Sequence, residues 1–205
     1  NLPFPYNLSL HSGRYDGDMR AGPNFLQPDK AGSFGQQLVR LYKITGDRKY
    51  LNAAIAIADT LAKRAKPGDE MNSPWPFRVN ATTGEVHTVT KGGKTYTAYY
   101  TTNWTPTIEL FEQLAALDAP NGRNYRLVAR AVWDWMTDVI LRELVKPGGG
   151  RPRFGPFFED VPTEDYSDTE INAGTLAFYL LTHPDLRSDT GQLAEAILLW
   201  TEREL

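Results

Sequence analysis

The sequence predicts an all-α domain of three antiparallel helical hairpins. Apolar residues recur at helical spacing in three pairs of segments, over residues 30–64, 105–144 and 168–205. Short turns at residues 45–47, 118–124 and 183–188 join the two segments of each pair. Since short turns connect antiparallel neighbours, the long segments 7–28, 66–103 and 146–167 are expected together on the opposite face. We expect a functional site on that face.

Each predicted helix has a clear apolar stripe. In the first pair the stripes are Phe34, Leu38, Leu41 and Tyr42, then Ile55, Ala58, Leu61 and Ala62. In the second pair they are Ile108, Phe111 and Leu114, then Val128, Val132, Trp135, Met136, Val139 and Ile140. In the third they are Leu176, Tyr179 and Leu180, then Leu193, Ile197 and Trp200. Helix starts are indicated by Thr105-Pro106 and by capping-box spacing in residues 167–170 and 189–192.

One inserted segment has the pattern of strands. Residues 85–89 and 94–100 alternate β-branched or aromatic residues with polar ones, and they flank Lys91-Gly92-Gly93. This pattern predicts a small β-hairpin between the first and second helix pairs. Its expected role is to wall a cleft.

Length, charge and cysteine content limit the classes of partner. The 205 residues, of which 41% are hydrophobic, suit one compact domain spanning residues 1–205. A net charge of −3 gives no broad basic surface, and no apolar run is long enough to span a bilayer. We therefore expect neither nucleic-acid binding nor membrane insertion. Cysteine is absent and no calcium-loop pattern occurs, so neither a metal nor another cofactor is predicted.

The turn of the first pair resembles a motif of a known superfamily. Residues 41–54, LYKITGDRKYLNAA, are similar to the inter-helix turn of α/α-toroid proteins, the six-hairpin glycosidase-like superfamily of glycoside hydrolases and polysaccharide lyases. A weaker echo spans residues 124–129, and Asp134 follows Tyr125 at the spacing at which Asp59 follows Tyr50. Tetratricopeptide arrays are the main competitor, but their repeat of about 34 residues conflicts with this wider spacing.

The resemblance implies a toroid-like arc and a carbohydrate substrate. A full toroid of this kind has six hairpins, whereas three are predicted here. The chain would therefore be either part of a larger toroid or an arc that forms a homo-oligomer with another copy. The resemblance also favours an extracellular or periplasmic location.

Carboxylates in the first and third long segments are the predicted catalytic groups. A pair of acids can serve as general acid and as base or nucleophile in glycoside hydrolysis. The candidates are Asp16, Asp18, Glu159, Asp160 and Asp168. The alternatives are a polar turn at residues 16–18, a favourable charge at a helix start for Asp168, and solvated surface acids at residues 159–160.

Aromatic and amide side chains near the predicted hairpin indicate sugar binding. Aromatic faces stack on the C–H faces of sugar rings, while amide and guanidinium groups bond their hydroxyls. The candidate substrate-binding residues are Trp75, Arg78, Tyr99, Tyr100, Asn103, Trp104 and Phe158. The alternative is that the tryptophans anchor the insertion to the helices beneath it. Glu109, one turn into the next helix, is a further acid candidate.

These observations favour a glycoside hydrolase acting on a poly- or oligosaccharide in a loop-lined cleft. A polysaccharide lyase is the second choice, with Tyr or His as base and Arg neutralising a substrate carboxylate. A non-catalytic helical module that binds carbohydrate or protein is the third. Burial of the aromatic residues beneath the insertion, together with partner chains covering the open edges of the arc, would favour the module.

Overall fold

The computed structural model describes residues 25–69, 72–76, 78–80, 82–97, 104–140 and 170–204. Six α-helices dominate these residues, which confirms the all-α class. They are α1 (Pro28–Thr45), α2 (Arg48–Arg64), α3 (Thr105–Ala116), α4 (Gly122–Asp134), α5 (Glu170–Thr182) and α6 (Thr190–Glu204). A π-helical stretch, Trp135–Ile140, continues α4, and a 3-10 turn, Pro184–Leu186, precedes α6.

Consecutive helices contact each other in the predicted pairs. Helix α1 packs against α2, α3 against α4, and α5 against α6, while α1 also packs closely against α3. The first pair turns at Gly46, whose φ of 70° is readily adopted by glycine. Asp47 then caps α2 by accepting a 3.0 Å hydrogen bond from the Lys49 backbone N–H. Closure of the pairs into a toroid-like arc stays a prediction.

Helices α1 and α3 approach each other through two glycines. A Cβ placed on Gly32 would overlap Thr107, and one placed on Gly35 would lie 2.6 Å from Leu110 Cδ2. Further along both helices, Lys43 Nζ lies 3.4 Å from Gln113 Oε1. Since the contacts advance together along the two helices, α1 and α3 run in the same direction.

An aromatic row crosses the core between the insertion and α4. The Trp75 ring centroid lies 4.9 Å from that of Trp104 and 6.5 Å from that of Phe111. Phe111 in turn stacks on Tyr125 at 5.5 Å. The Trp75 indole N–H donates to the Leu61 carbonyl at 3.0 Å. This row ties the start of the insertion to helices α2, α3 and α4.

The described strands are short. The first lies before α1, and the other three lie between α2 and α3. Strand β1 (Phe25–Leu26) pairs antiparallel with β2 (Val79–Asn80). Strand β3 (Thr88–Lys91) pairs with β4 (Lys94–Thr97), and both Gly92 and Gly93 of the connecting turn have positive φ. This confirms the predicted β-hairpin, although β3 lies at residues 88–91 rather than 85–89. Among the described helices, none combines the length and apolar character needed to cross a membrane.

Candidate functional site

Most of the predicted site residues lie outside the described residues. These are the acids Asp16, Asp18, Glu159, Asp160 and Asp168, together with Tyr99, Tyr100, Asn103 and Phe158. Their predicted roles stay predictions. Arg78 is described; it is half-buried in the insertion, where its carbonyl accepts a 3.1 Å hydrogen bond from the His87 backbone N–H.

The structure places the two predicted tryptophan platforms in the core. Trp75 and Trp104 both have 0% of their surface exposed. Their rings contact each other, and Trp75 also faces Phe111, so neither indole presents a face to a sugar. The stacking role expected of these two residues is corrected on this ground. The alternative role, anchoring the insertion to the helices, accounts for their contacts.

A second tryptophan contact fixes the start of the same segment. The Trp135 indole N–H donates to the Asp69 carbonyl at 3.0 Å. The backbone at Gly68 passes so close to this indole that a Cβ there would overlap the ring. Residues 65–69 and 72–76 are thus held by two indole groups, one from within this segment and one from Trp135 at the end of α4.

The most prominent polar cluster of the described residues lies between α1, α3 and α5. Glu109 and Glu112 are three residues apart on α3 and so share a face of that helix. The Glu109 carboxylate accepts a short hydrogen bond from the Gln36 side-chain amide and lies 3.8 Å from an Arg40 guanidinium nitrogen. About a quarter of the Glu109 side chain, 26%, is exposed to solvent. Helix α1 therefore supplies both a donor and a positive charge to Glu109.

Helix α5 contributes an aromatic hydroxyl to the cluster, and the residue that follows α5 contributes an imidazole. The Tyr179 and His183 rings stack at 4.1 Å with an interplanar angle of 26°. His183 Nδ1 lies 2.9 Å from the Tyr179 carbonyl and 3.1 Å from Thr182 Oγ1. Tyr179 is buried, and its hydroxyl faces Glu112 without a hydrogen bond of good geometry to it.

The cluster favours protonated forms of its acidic groups. Partial burial raises the pKa of Glu109, while the positive charge of Arg40 and then His183 oppose the rise. Burial is also the main cause that raises the pKa of Glu112, with His183 opposing it and the Glu109 charge adding to it. The pKa of Tyr179 is raised by its burial and then by the charges of Glu112 and Glu109. Burial therefore favours the protonated form of both carboxyls, and the nearby positive charges oppose it.

This arrangement can donate and accept protons but has no evident metal site. One carboxyl can stay protonated while its neighbour carries the negative charge, which is the basis of two-carboxyl acid–base chemistry. Within the described parts of the chain, no group of three or more His, Asp or Glu side chains converges in a way that could hold a metal ion.

The sequence pointed to only part of this cluster. Glu109 was expected as an acid candidate, whereas Glu112, Tyr179 and His183 were not assigned to a site. Helical spacing was an available signal, because Glu109 and Glu112 share one face and so do Tyr179 and His183. The packing of α3 against α5 is a tertiary property. The spacing alone therefore could not predict that the four side chains lie together.

Comparisons with protein-family models, curated proteins and solved structures find no match to this chain. The toroid assignment therefore rests on the turn motif at residues 41–54.

Proposed function

We propose that the protein is a glycoside hydrolase that acts on a poly- or oligosaccharide, with Glu112 as general acid and Glu109 as its carboxylate partner. The observation that carries this proposal is the pair of carboxyls with raised pKa on one face of α3, beside Tyr179 and His183. Residues three apart on a helix have Cβ atoms about 5–6 Å apart. This spacing is compatible with the ~5–10 Å carboxyl separations of retaining and inverting glycosidases.

Different neighbours give the two acids different roles. Glu109 accepts a hydrogen bond from Gln36 and lies near Arg40, and both contacts favour its ionised form. Burial favours the protonated form of Glu112, and the Glu109 charge adds to this effect, while His183 opposes it. Part of the Glu112 side chain is exposed, so a leaving-group oxygen can reach it, although the neighbouring helices partly desolvate its carboxyl. Glu109 would then act as nucleophile or as base toward water.

The predicted loop acids fit this proposal as additional groups. Glu159, Asp160, Asp16 and Asp18 belong to long segments that would flank a cleft, and any of them could serve as the second carboxylate in place of Glu109. Substitution of each by its amide distinguishes these assignments.

A lyase is less well supported by the same cluster. Two carboxylates would repel the uronate carboxylate of a lyase substrate. The raised pKa of Tyr179 makes this hydroxyl harder to ionise and so weakens it as a base. Arg40 is placed beside Glu109, where part of its charge is already compensated.

The test is product analysis with matched amide variants. The purified chain is incubated with neutral and uronic-acid polysaccharides, and products are identified by mass spectrometry. Loss of a general acid or base is expected to slow turnover by about 10²–10⁴-fold in Glu112→Gln and Glu109→Gln. Glu85→Gln, which changes an exposed insertion residue, is the control and should keep the wild-type rate. Unchanged turnover in both α3 variants would refute the assignment.

One observation favours a second function, a non-catalytic helical module that binds carbohydrate or protein. The burial of Trp75 and Trp104 removes two of the expected sugar platforms and gives them a structural role. A folded chain that binds a polysaccharide or a protein but releases no product would support this function.

A further inference from the structure

The hydroxyl of Tyr179 is buried beside the carboxyl pair and has no role in the proposed hydrolysis. Only 3% of the Tyr179 surface is exposed. Its ring stacks on His183 at 4.1 Å and lies 5.8 Å from the Trp133 ring at an interplanar angle of 56°. Because two neighbouring rings contact it, the phenol is fixed in place and its hydroxyl is shielded from bulk water.

This hydroxyl is a buried donor that faces a carboxyl. It makes no hydrogen bond of good geometry to the residues that the structure describes. A buried donor without an acceptor costs free energy, so its position needs an explanation. The polar group that it faces is the carboxyl of Glu112 on α3. Since Tyr179 is fixed and Glu112 is partly exposed, rotation of the Glu112 side chain can complete a hydrogen bond between them.

The two carboxyls of the cluster have different neighbours. Helix α1 supplies Glu109 with an amide donor and with the positive charge of Arg40. The donor that faces Glu112 is Tyr179, and the charged groups near it are His183 and Glu109. A partly desolvated carboxylate is costly without a hydrogen-bond donor. Tyr179 is placed to be that donor when Glu112 is ionised.

Tyr179 itself keeps its proton at neutral pH. Burial raises the pKa of this phenol above its ordinary value, and the negative charges of Glu112 and Glu109 raise it further. The hydroxyl therefore stays neutral where the carboxyls titrate. A neutral phenol donates a hydrogen bond to a carboxylate without giving up its proton.

We propose that Tyr179 is a positioning residue for Glu112, whose carboxylate accepts a hydrogen bond from the Tyr179 hydroxyl once Glu112 has given up its proton. This proposal rests on the proposed role of Glu112 as general acid. In that reaction the Glu112 proton moves to the glycosidic oxygen as the bond from this oxygen to the anomeric carbon breaks. Glu109, or a water that it activates, forms the new bond to that carbon. The Tyr179 proton stays on its own oxygen, and its hydrogen bond stabilises the negative charge that develops on Glu112.

The first test is titration of the Glu112 carboxyl by carbon-13 NMR in the wild type and in Tyr179→Phe. Phenylalanine keeps the ring that packs on His183 and Trp133 and removes only the hydroxyl. The variant is therefore expected to fold, which circular dichroism checks. The pKa of Glu112 should rise in Tyr179→Phe, because the ionised form loses a donor. An unchanged pKa would overturn the proposal.

Tyr125→Phe is the matched control. Tyr125 is also buried, but its hydroxyl donates to Asp59 at 2.6 Å in the contact between α4 and α2. Its removal should leave the pKa of Glu112 at the wild-type value. A further measurement needs no variant: the wild-type Tyr179 ring carbon that bears the hydroxyl should shift at the pH at which the Glu112 carboxyl titrates. A carbon resonance that does not respond to this titration would overturn the proposal.

Turnover separates this proposal from the proposed function. Tyr179→Phe should lower kcat by about tenfold with KM unchanged, because the hydrogen bond is made as charge develops, whereas Tyr125→Phe should keep the wild-type kcat. The NMR titrations need no turnover. A raised Glu112 pKa in Tyr179→Phe without any product from the wild type would support the hydrogen bond and refute the proposed function. Products formed at the same kcat by the wild type and Tyr179→Phe would overturn the role of Tyr179 alone.

Discussion

Replacing Gly32 by alanine is expected to destabilise the fold, although alanine is the better helix former. The alanine Cβ would lie 2.7 Å from Thr107 Cβ and 3.0 Å from Thr107 Cα, closer than such carbons normally approach. The backbone of α3 would have to move away from α1. Overpacking of this kind costs about 1–3 kcal/mol, partly offset by the ~1 kcal/mol gain in helix propensity.

Gly174 provides the matched control within α5. It is exposed, and no described atom lies within 4 Å of a Cβ placed there. Gly174→Ala should therefore show the propensity gain alone. Because that gain is common to both variants, the difference in their unfolding free energies isolates the clash, and we expect Gly32→Ala to be less stable by about 1–3 kcal/mol.

Urea denaturation of the two variants and the wild type measures this difference. Similar slopes of unfolding free energy against urea are needed for the comparison. Equal stability of Gly32→Ala and Gly174→Ala would refute the close packing of α1 on α3.

Three further predictions address the core and the cluster. Tyr125→Phe removes the hydrogen bond to Asp59 and should lower the unfolding free energy by about 1–2 kcal/mol. A double-mutant cycle in urea should show that most of this loss is absent when Asp59 is already replaced by alanine. Trp75→Ala should cost about 3–5 kcal/mol because a fully buried ring is removed; thermal unfolding that stays at the wild-type midpoint would contradict this. The raised pKa of Glu112 means that the folded state binds its proton more tightly than the unfolded state, so this group's contribution to stability falls as pH rises above the ordinary value of 4.5. Glu112→Gln should therefore gain stability relative to the wild type between acidic and neutral pH, and parallel pH profiles from urea titrations would argue against the raised pKa.

The helix pairs could be predicted because local chemistry determines them. The apolar stripes of α1 and α2, together with Gly46 and Asp47 between them, require nothing beyond neighbouring residues. The β-hairpin at Gly92-Gly93 was equally local, although β3 begins three residues later than the alternating pattern suggested.

The roles of the tryptophans could not be predicted in this way. Trp75 and Trp104 occur in polar surroundings, a pattern that suits a sugar platform as well as an anchor. Their burial depends on Phe111 and on the Leu61 carbonyl, which lie on different helices. Such contacts are determined by the packing of distant segments.

The carboxyl cluster could be predicted only in part from the sequence. The spacing of Glu109 and Glu112 on one helix face was visible in the sequence, but the raised pKa of each depends on burial created by the neighbouring helices. The partners Arg40 and His183 come from α1 and from the residue after α5. Their charges oppose that rise, so the protonation of the pair depends on tertiary structure.

Mass spectrometry of the products released from polysaccharides by the wild type and by Glu112→Gln tests the proposed hydrolysis. A glycoside hydrolase should release oligosaccharides that have gained one water per bond cleaved, with their yield reduced by about 10²–10⁴-fold in the variant. Products with unsaturated ends, products formed equally by the variant, or no products from the folded chain would contradict it.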